Sequence, residues 1–404
     1  MAEPSRDGFG APTRRSRGRL GPIVPLVLGV VALAAMTHAQ GLDQAGPTSS
    51  ASSSSSPAAA ADGDTAAPAA LAFGSTSALG AIVFRLGEPV HLWSVAADGT
   101  PRWQRDLQPG EAVACGPCPA ALLEQADGRG TWVAEDGSPT PAPAPLAEGL
   151  RPLRSVAGVV VAAARADGAA ELFVPSTDGL RSVGALPDAR LDQPLLVATP
   201  ATRGRAVTLL RASADPLRQA EFDVVHLTPE GSDIRTVALD EPGARPFPCA
   251  LADDATVAYL QQLAGPTADG ATHLVVRRGS SEPVEATVPG TFDTCGAGPA
   301  GTVLATAVTG ADGDPRRTVV DIVWLGPSLS VRATASEVLI GLRASVAVDA
   351  PSGRVAVAGG SGPAVVLDGS SRIERAPAAA VAFDDRGGLW AVDQDARVTH
   401  EVGS

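Results

Sequence analysis

Apolar residues along this chain come in two distinct patterns. From Leu20 to Leu42 no formally charged residue appears, and the stretch GPIVPLVLGVVALAAM within it is strongly apolar. Beyond residue 71 apolar residues form short runs of strand length, among them AIVFRL, VHLWSV, TWVAED, DVVHLT, TVAYLQ, HLVVRR, TVVDIVWL, VAVAGG and LWAVDQ. Many of these alternate or are rich in β-branched residues, as half-buried or buried strands require. Turn signals separate them. Asp-Gly recurs at Asp98, Asp127, Asp136, Asp167, Asp178, Asp269, Asp312 and Asp368, and this dipeptide suits hairpins because glycine takes positive φ without steric cost. No stretch sustains helical periodicity for four turns, and 44 Gly with 35 Pro interrupt every candidate. The pattern predicts an all-β domain over residues 71–404.

Apolar openings that each begin a group of about four strands fall near residues 111, 151, 191, 246, 291, 341 and 378. Their spacing, roughly 37 to 55 residues with four strands per unit, is that of β-propeller blades. Seven openings imply about seven blades, with eight possible because AIVFRL is left over. The N-terminal strands VHLWSV and PRWQRDL have no opening of their own. Joining them to the last strands in one sheet would close the ring and leave no free edge. A pair of stacked β-sandwiches is the rival architecture.

LWSVAADGTPRWQRDL, residues 92–107, resembles the repeat of pyrroloquinoline-quinone-like propellers, and LWAVDQDARVTHEV, residues 389–402, is similar to a worn copy of it. The remaining units share only a rhythm, one common to WD40-like propellers. The resemblance implies an extracytoplasmic propeller scaffold, with quinoprotein dehydrogenases as an enzymatic minority.

The long apolar run follows a leader, residues 1–19, that carries Arg14, Arg15, Arg17 and Arg19. Twenty-three uncharged residues at about 1.5 Å each can cross a bilayer as a helix. The positive-inside rule then leaves the leader in the cytoplasm and the rest outside. Residues 20–42 therefore read as a membrane anchor, or alternatively as a signal peptide cleaved after THA, which would release the domain. The Ser/Ala/Pro tract over residues 43–70 reads as a disordered linker with almost nothing to bury.

Charge and composition exclude some chemistries. All 31 basic residues are arginine, so no lysine can serve as base or Schiff-base nucleophile. A net charge of −13 opposes general nucleic-acid binding, which needs positive surface to displace counterions. The four cysteines are the strongest chemical candidates. Cys115-Gly-Pro-Cys118 spells the tetrapeptide of thiol oxidoreductases, yet that chemistry needs a helix starting at the motif to stabilise the thiolate. The segment after Pro119, AALLEQADGRGTWV, reads instead as strand, turn, strand. Cys115, Cys249 and Cys295 each follow a glycine by five or six residues on an opening strand. A disulfide between Cys249 and Cys295 in neighbouring units, and a local loop closed by Cys115 and Cys118, fit an oxidising compartment.

The five histidines share no spacing with an acid or cysteine, and no nucleophile elbow is present. ADGDPRR begins like a calcium loop but has Val323 where the closing Glu is required. Asp253-Asp254 and Asp384-Asp385 read as solvated turn residues. No metal site and no cofactor site is expected, and no catalytic constellation emerges. The sequence points to a membrane-tethered binding or scaffold module with a protein or cell-envelope ligand. A quinoprotein-like or hydrolytic enzyme with its site in a central channel is the alternative, and a thiol oxidoreductase using Cys115 and Cys118 the third reading.

Overall fold

The structure, a computed structural model, describes residues 70–403 except 86, 88, 108–111, 115–120, 125–129, 134–138, 142–150, 156–157, 165–169, 177–178, 187–194, 213–220, 240–244, 264–269, 311–312, 315, 342–343 and 360–361. The described residues contain strands and turns and no helix.

The strands fall into eight small sheets that follow one another along the chain. The first holds β1 (Leu71–Ser77), β2 (Gly80–Arg85), β3 (His91–Ala96) and β4 (Pro101–Asp106). The second holds β5 (Ala112–Ala114), β6 (Ala121–Glu124), β7 (Gly130–Val133) and β8 (Pro139–Pro141). The third holds β9 (Arg151–Ser155), β10 (Gly158–Ala164), β11 (Ala170–Ser176) and β12 (Gly179–Leu186). The fourth holds β13 (Leu195–Pro200), β14 (Val207–Ala212), β15 (Glu221–Thr228) and β16 (Gly231–Ala238).

Two short strands then open the next pair of sheets, β17 (Arg245–Pro248) and β18 (Ala250–Leu251). The fifth sheet combines β17 with β19 (Thr256–Leu263), β20 (Ala271–Arg278) and β21 (Val284–Pro289). The sixth combines β18 with β22 (Thr294–Gly298), β23 (Gly301–Thr309), β24 (Arg317–Leu325) and β25 (Val331–Ile340). The seventh holds β26 (Ser345–Asp349), β27 (Arg354–Ala358), β28 (Pro363–Leu367) and β29 (Arg372–Pro377). The eighth has three strands, β30 (Ala380–Phe383), β31 (Leu389–Val392) and β32 (Val398–Glu401).

Within each sheet the strands run as an antiparallel meander, apart from the parallel β18–β22 pair. First strands pack on first strands, β5 on β9, β9 on β13, β13 on β17, β22 on β26, β26 on β30, and β30 back on β1. The interior is divided accordingly into clusters between neighbouring sheets. Val320, Ile322 and Trp324 of the sixth meet Val355, Val357 and Val365 of the seventh. Trp390 and Val392 of the eighth meet Ala81, Val83 and Trp93 of the first. This is a propeller-like arrangement, in which each sheet is too small to bury its own faces and is stabilised by its neighbours.

The expectation that the two chain ends share one sheet is corrected. Residues 71–106 include a four-stranded sheet of their own, with AIVFR in β2, and the C-terminal strands make another. The two sheets meet face to face. The turns also differ from a simple two-residue hairpin. Between β3 and β4 the Gly99 amide donates to Ala96 O, and Gly99 takes φ +82° as the extra bulge residue after a type I turn. The neighbouring Asp98 carboxylate accepts from the Thr100 hydroxyl and amide, and the hydroxyl bond, first, holds its pKa below the ordinary value.

The inner strands approach unusually closely around the sixth sheet. Ala201 bridges Leu251 in parallel, Leu251 pairs with Ala297, and the Ala252 amide donates to Ala297 O at 2.9 Å. At Gly298 a Cβ would lie 2.6 Å from Ala350 O and 2.9 Å from the Ala252 Cβ, so only glycine fits between them. Gly298→Ala is therefore expected to lose about 1–3 kcal/mol of stability, the usual penalty of overpacking. Chemical denaturation measures it, and a neutral result would show that the inner strands can move apart.

Candidate functional site

Cys249 lies between β17 and β18, its amide donating to Ala258 O at 3.0 Å, and Cys295 lies in β22. They form a disulfide with Cα atoms 4.8 Å apart, linking the fifth sheet to the sixth. Both are buried. Cys115 and Cys118 lie outside the described residues. The segment after them, Ala121–Glu124, is strand β6, paired antiparallel with β5. It does not supply the helix N-terminus that thiolate chemistry uses.

The histidines and acidic pairs are less ordinary than their sequence context suggests. Asp384, expected as a solvated turn residue, is buried. Its Oδ1 accepts from the amides of Arg386 and Gly388 at 2.8 and 2.7 Å, and its Oδ2 lies 2.8 Å from His400 Nε2. Side-chain exposure of His400 and Asp384 is 3% and 1%. The His400 ring stacks on Trp390 with centroids 4.2 Å apart. Asp385 accepts from the Ala78 amide of the first sheet. Asp253 Oδ1 caps its own turn through Thr256, and Asp254 Oδ1 accepts from the amides of Arg205 and Ala206 in the fourth sheet. His91 lies 2.6 Å from Asp106, and His273 3.7 Å from Glu285. Each of these groups is placed to fasten a turn or a strand pair.

A recurring latch emerges from this placement. A side chain in one sheet donates to a main-chain carbonyl in the first turn of the next. His226 Nε2 reaches Asp254 O at 2.8 Å, Arg278 Nε reaches Gly298 O at 3.1 Å, and Trp324 Nε1 reaches Gly353 O at 2.7 Å. Arg354 then reaches Gly387 O, and Trp390 Nε1 reaches Ser77 O at 3.1 Å, which carries the series from the last sheet to the first.

The His226 latch fixes a tautomer. A carbonyl can only accept, so Nε2 carries the proton, and Nδ1 accepts from the Thr208 hydroxyl at 3.1 Å. Burial pushes the pKa of this ring below the ordinary 6.5. A depressed histidine pKa means that the unfolded chain takes up a proton the folded one refuses. Its contribution to stability is complete above pH 6.5 and is lost as pH falls from there through the folded value. His226→Gln should flatten this part of the stability–pH curve, measured by thermal melts between pH 7.5 and about 5. An unchanged curve would show that His226 is not the group responsible.

Grooves between sheets include two that are lined by described residues. The larger, about 590 Å³, separates the fifth sheet from the sixth and is lined by Pro289, Phe292, Thr306, Val308, Asp321 and Ser336, among others. Asp321 is the one titratable group in its lining, and Ser336 donates to it. Acid–base catalysis takes a donor and an acceptor of matched strength, and this groove supplies one carboxylate. The smaller, about 240 Å³, lies between the seventh and eighth sheets, with Arg354, Ile373, Arg375, Phe383, Leu389 and Glu401 in its walls. Arg354 pairs with Asp349 at 2.9 Å and lies 5.1 Å from the Phe383 ring centroid, while Arg375 faces Glu401 at 2.8 Å. Each guanidinium is matched by a carboxylate. No group of three or more metal-ligating side chains occurs among the described residues. No helix among them is long and apolar enough to cross a membrane, and residues 20–42 lie outside them.

No known protein family matches the chain, and no curated protein does. Solved structures similar to it include the WD40 domain of SCAP from fission yeast, at 8% identity and a TM-score of 0.36, covering 68% of this chain and 79% of that one. A chain of the mitotic checkpoint complex matches at 10% identity and a TM-score of 0.35, covering 90% of this chain and 99% of its own. The strand order and the contacts between sheets are what define the architecture.

The groove residues do not stand out as a site in the sequence. Asp321 and Ser336 stand in unremarkable strands fifteen positions apart, and only the β24–β25 register brings them opposite each other.

Proposed function

We propose that this protein is a membrane-tethered, extracytoplasmic β-propeller of eight blades that binds a protein or cell-envelope ligand and acts as a scaffold without transforming it. The observation that carries the reading is that neither groove assembles a catalytic set: Asp321 is the one titratable group in the described lining of the larger, and Arg354 and Arg375 of the smaller are each paired with a carboxylate. Concave surface lies in these grooves between neighbouring sheets, and the guanidinium groups of the smaller one already have their partners. Such surfaces suit a macromolecular ligand better than a small substrate, which is bound by a deep pocket with convergent polar groups.

The buried Cys249–Cys295 disulfide supports an oxidising location, in accord with the basic leader and uncharged run of residues 1–42. Crosslinking of the full chain in cell envelopes, followed by affinity capture and mass spectrometry, is expected to recover one predominant partner in stoichiometric yield. Stoichiometric quinone or metal in the purified protein would overturn the reading. A C-terminal reporter active only in the cytoplasm would overturn the location.

A further inference from the structure

The outer strands of the sheets are guarded unequally. β4 begins with Pro101 and carries Arg102, Arg105 and Asp106. β21 carries Glu285 and ends in Pro289, and β29 carries Arg372, Glu374, Arg375 and Pro377. Charges and prolines are how native sheets keep their edges from pairing with another chain. β25, VRATASEVLI, is the longest strand described, has no proline, and carries Arg332 and Glu337 alone. Glu337 is held by Arg372 of the seventh sheet.

The orientation of its free main-chain groups follows from the ladder. The Gly341 amide donates to Arg316 O at 2.7 Å, so positions 341, 339 and 337 point their amides and carbonyls at β24. Ser336, Val338 and Ile340 therefore turn theirs outward. The face above this stretch is apolar. Val308 lies opposite Val319, and Val319 opposite Val338, a row across three strands that ends at the edge. Val308, Val338 and Ile340 are 46%, 52% and 71% exposed. They protrude because β23, β24 and β25 have nine, nine and ten residues while the neighbouring outer strands β21 and β29 have six.

We infer that β25 pairs antiparallel with β25 of a second copy of this chain, with Val338 on the two-fold axis. Antiparallel pairing about an axis normal to the sheet keeps each side chain on its own face, so same-parity positions meet, Ser336 against Ile340 and Val338 against itself. These are the positions with outward main-chain groups, and each of the three pairs can exchange two bonds. The valine row then runs unbroken through six strands.

The charged residues near the row are spaced apart. Arg317 stands beside Ile340, and Asp321 beside Ser336, two residues either side of Val319. In the pair, each copy's Arg317 lies in line with the second copy's Asp321 but three strand spacings, about 14 Å, away. On the opposite face the two Glu337 come diagonally across the axis, each already paired with its own Arg372.

The test uses the full chain in detergent, with mass measured by light scattering across a concentration series. A dimer is expected, and Val338→Arg should weaken it by about tenfold or more, because it sets like charges opposite each other on the axis. Circular dichroism of the variant should match the parent. Val338→Cys should form a reducible crosslinked dimer on mild oxidation, above the background of the unsubstituted chain. Val331→Cys, more exposed but far from the axis, should not. A chain that stays monomeric overturns the inference. So does a dimer indifferent to Val338→Arg, or a Val338→Cys crosslink no faster than that of Val331→Cys.

Discussion

Replacing Cys249 and Cys295 together by alanine is expected to cost about 4 kcal/mol, the loop-closure value for a bridge spanning 46 residues. The double substitution is the informative one, since a single change leaves a free thiol beside a void. Its effect should concentrate where the bridge sits. The opening strands of the fifth and sixth sheets would then rely on the Ala250–Gly296 and Leu251–Ala297 pairing, the Ala252 amide bond, the Arg278 latch to Gly298 and the apolar packing around them. Hydrogen exchange should quicken at Leu251, Ala252 and Ala297 before it changes in the seventh sheet. Denaturant titration measures the total. A loss under about 1 kcal/mol would mean that the unfolded chain already keeps these two segments near each other, so that the bridge removes little entropy from it.

Trp390→Ala should be comparably damaging, about 3–5 kcal/mol by the usual cost of deleting a large buried aromatic. Trp390 is fully buried and is the largest such side chain among the described residues. It fills the space between the first and eighth sheets, stacks on His400 and donates its indole proton to Ser77 O. Trp390→Phe separates these roles. It keeps most of the apolar volume and removes the N–H, so it should cost nearer 1 kcal/mol, roughly the net value of one such bond, plus a smaller packing loss. Equal losses from both substitutions would mean that the hydrogen bond, rather than packing, holds the two sheets together.

Much of the architecture is legible in the chain. Strand-length apolar runs between Asp-Gly turns predict an all-β domain, and the described residues contain strands without a helix. The offset of Cys249 and Cys295 from their preceding glycines predicts opening strands of adjacent units, and the disulfide joins Cys249, in the break between β17 and β18, to Cys295 in β22. The separate N-terminal sheet is not legible. Its opening strand, LAFGSTS, is small, polar and irregular, with a register shift between Phe73 and Ser75, so it shows no period-two alternation. Without that strand the remaining N-terminal strands look incomplete.

The latches are hidden for a different reason. One structural task is performed by His226, Arg278, Trp324, Arg354 and Trp390 in turn, and only a common donor group unites them. No residue pattern repeats. Asp384 reads as solvated because a turn looks solvent-facing in sequence whether or not another sheet covers it. Here His400 and the first sheet do so.

The meeting of the first and last sheets has a mechanical consequence. Where a propeller weaves both chain ends into one blade, separating them means shearing a whole ladder of main-chain bonds at once. Here the join consists of side-chain contacts from Thr76, Trp390 and His400, one amide bond to Asp385, and a patch of apolar surface. Those can be peeled apart one after another, so a steady pull on residue 71 should unfasten this molecule at that join while every sheet stays intact.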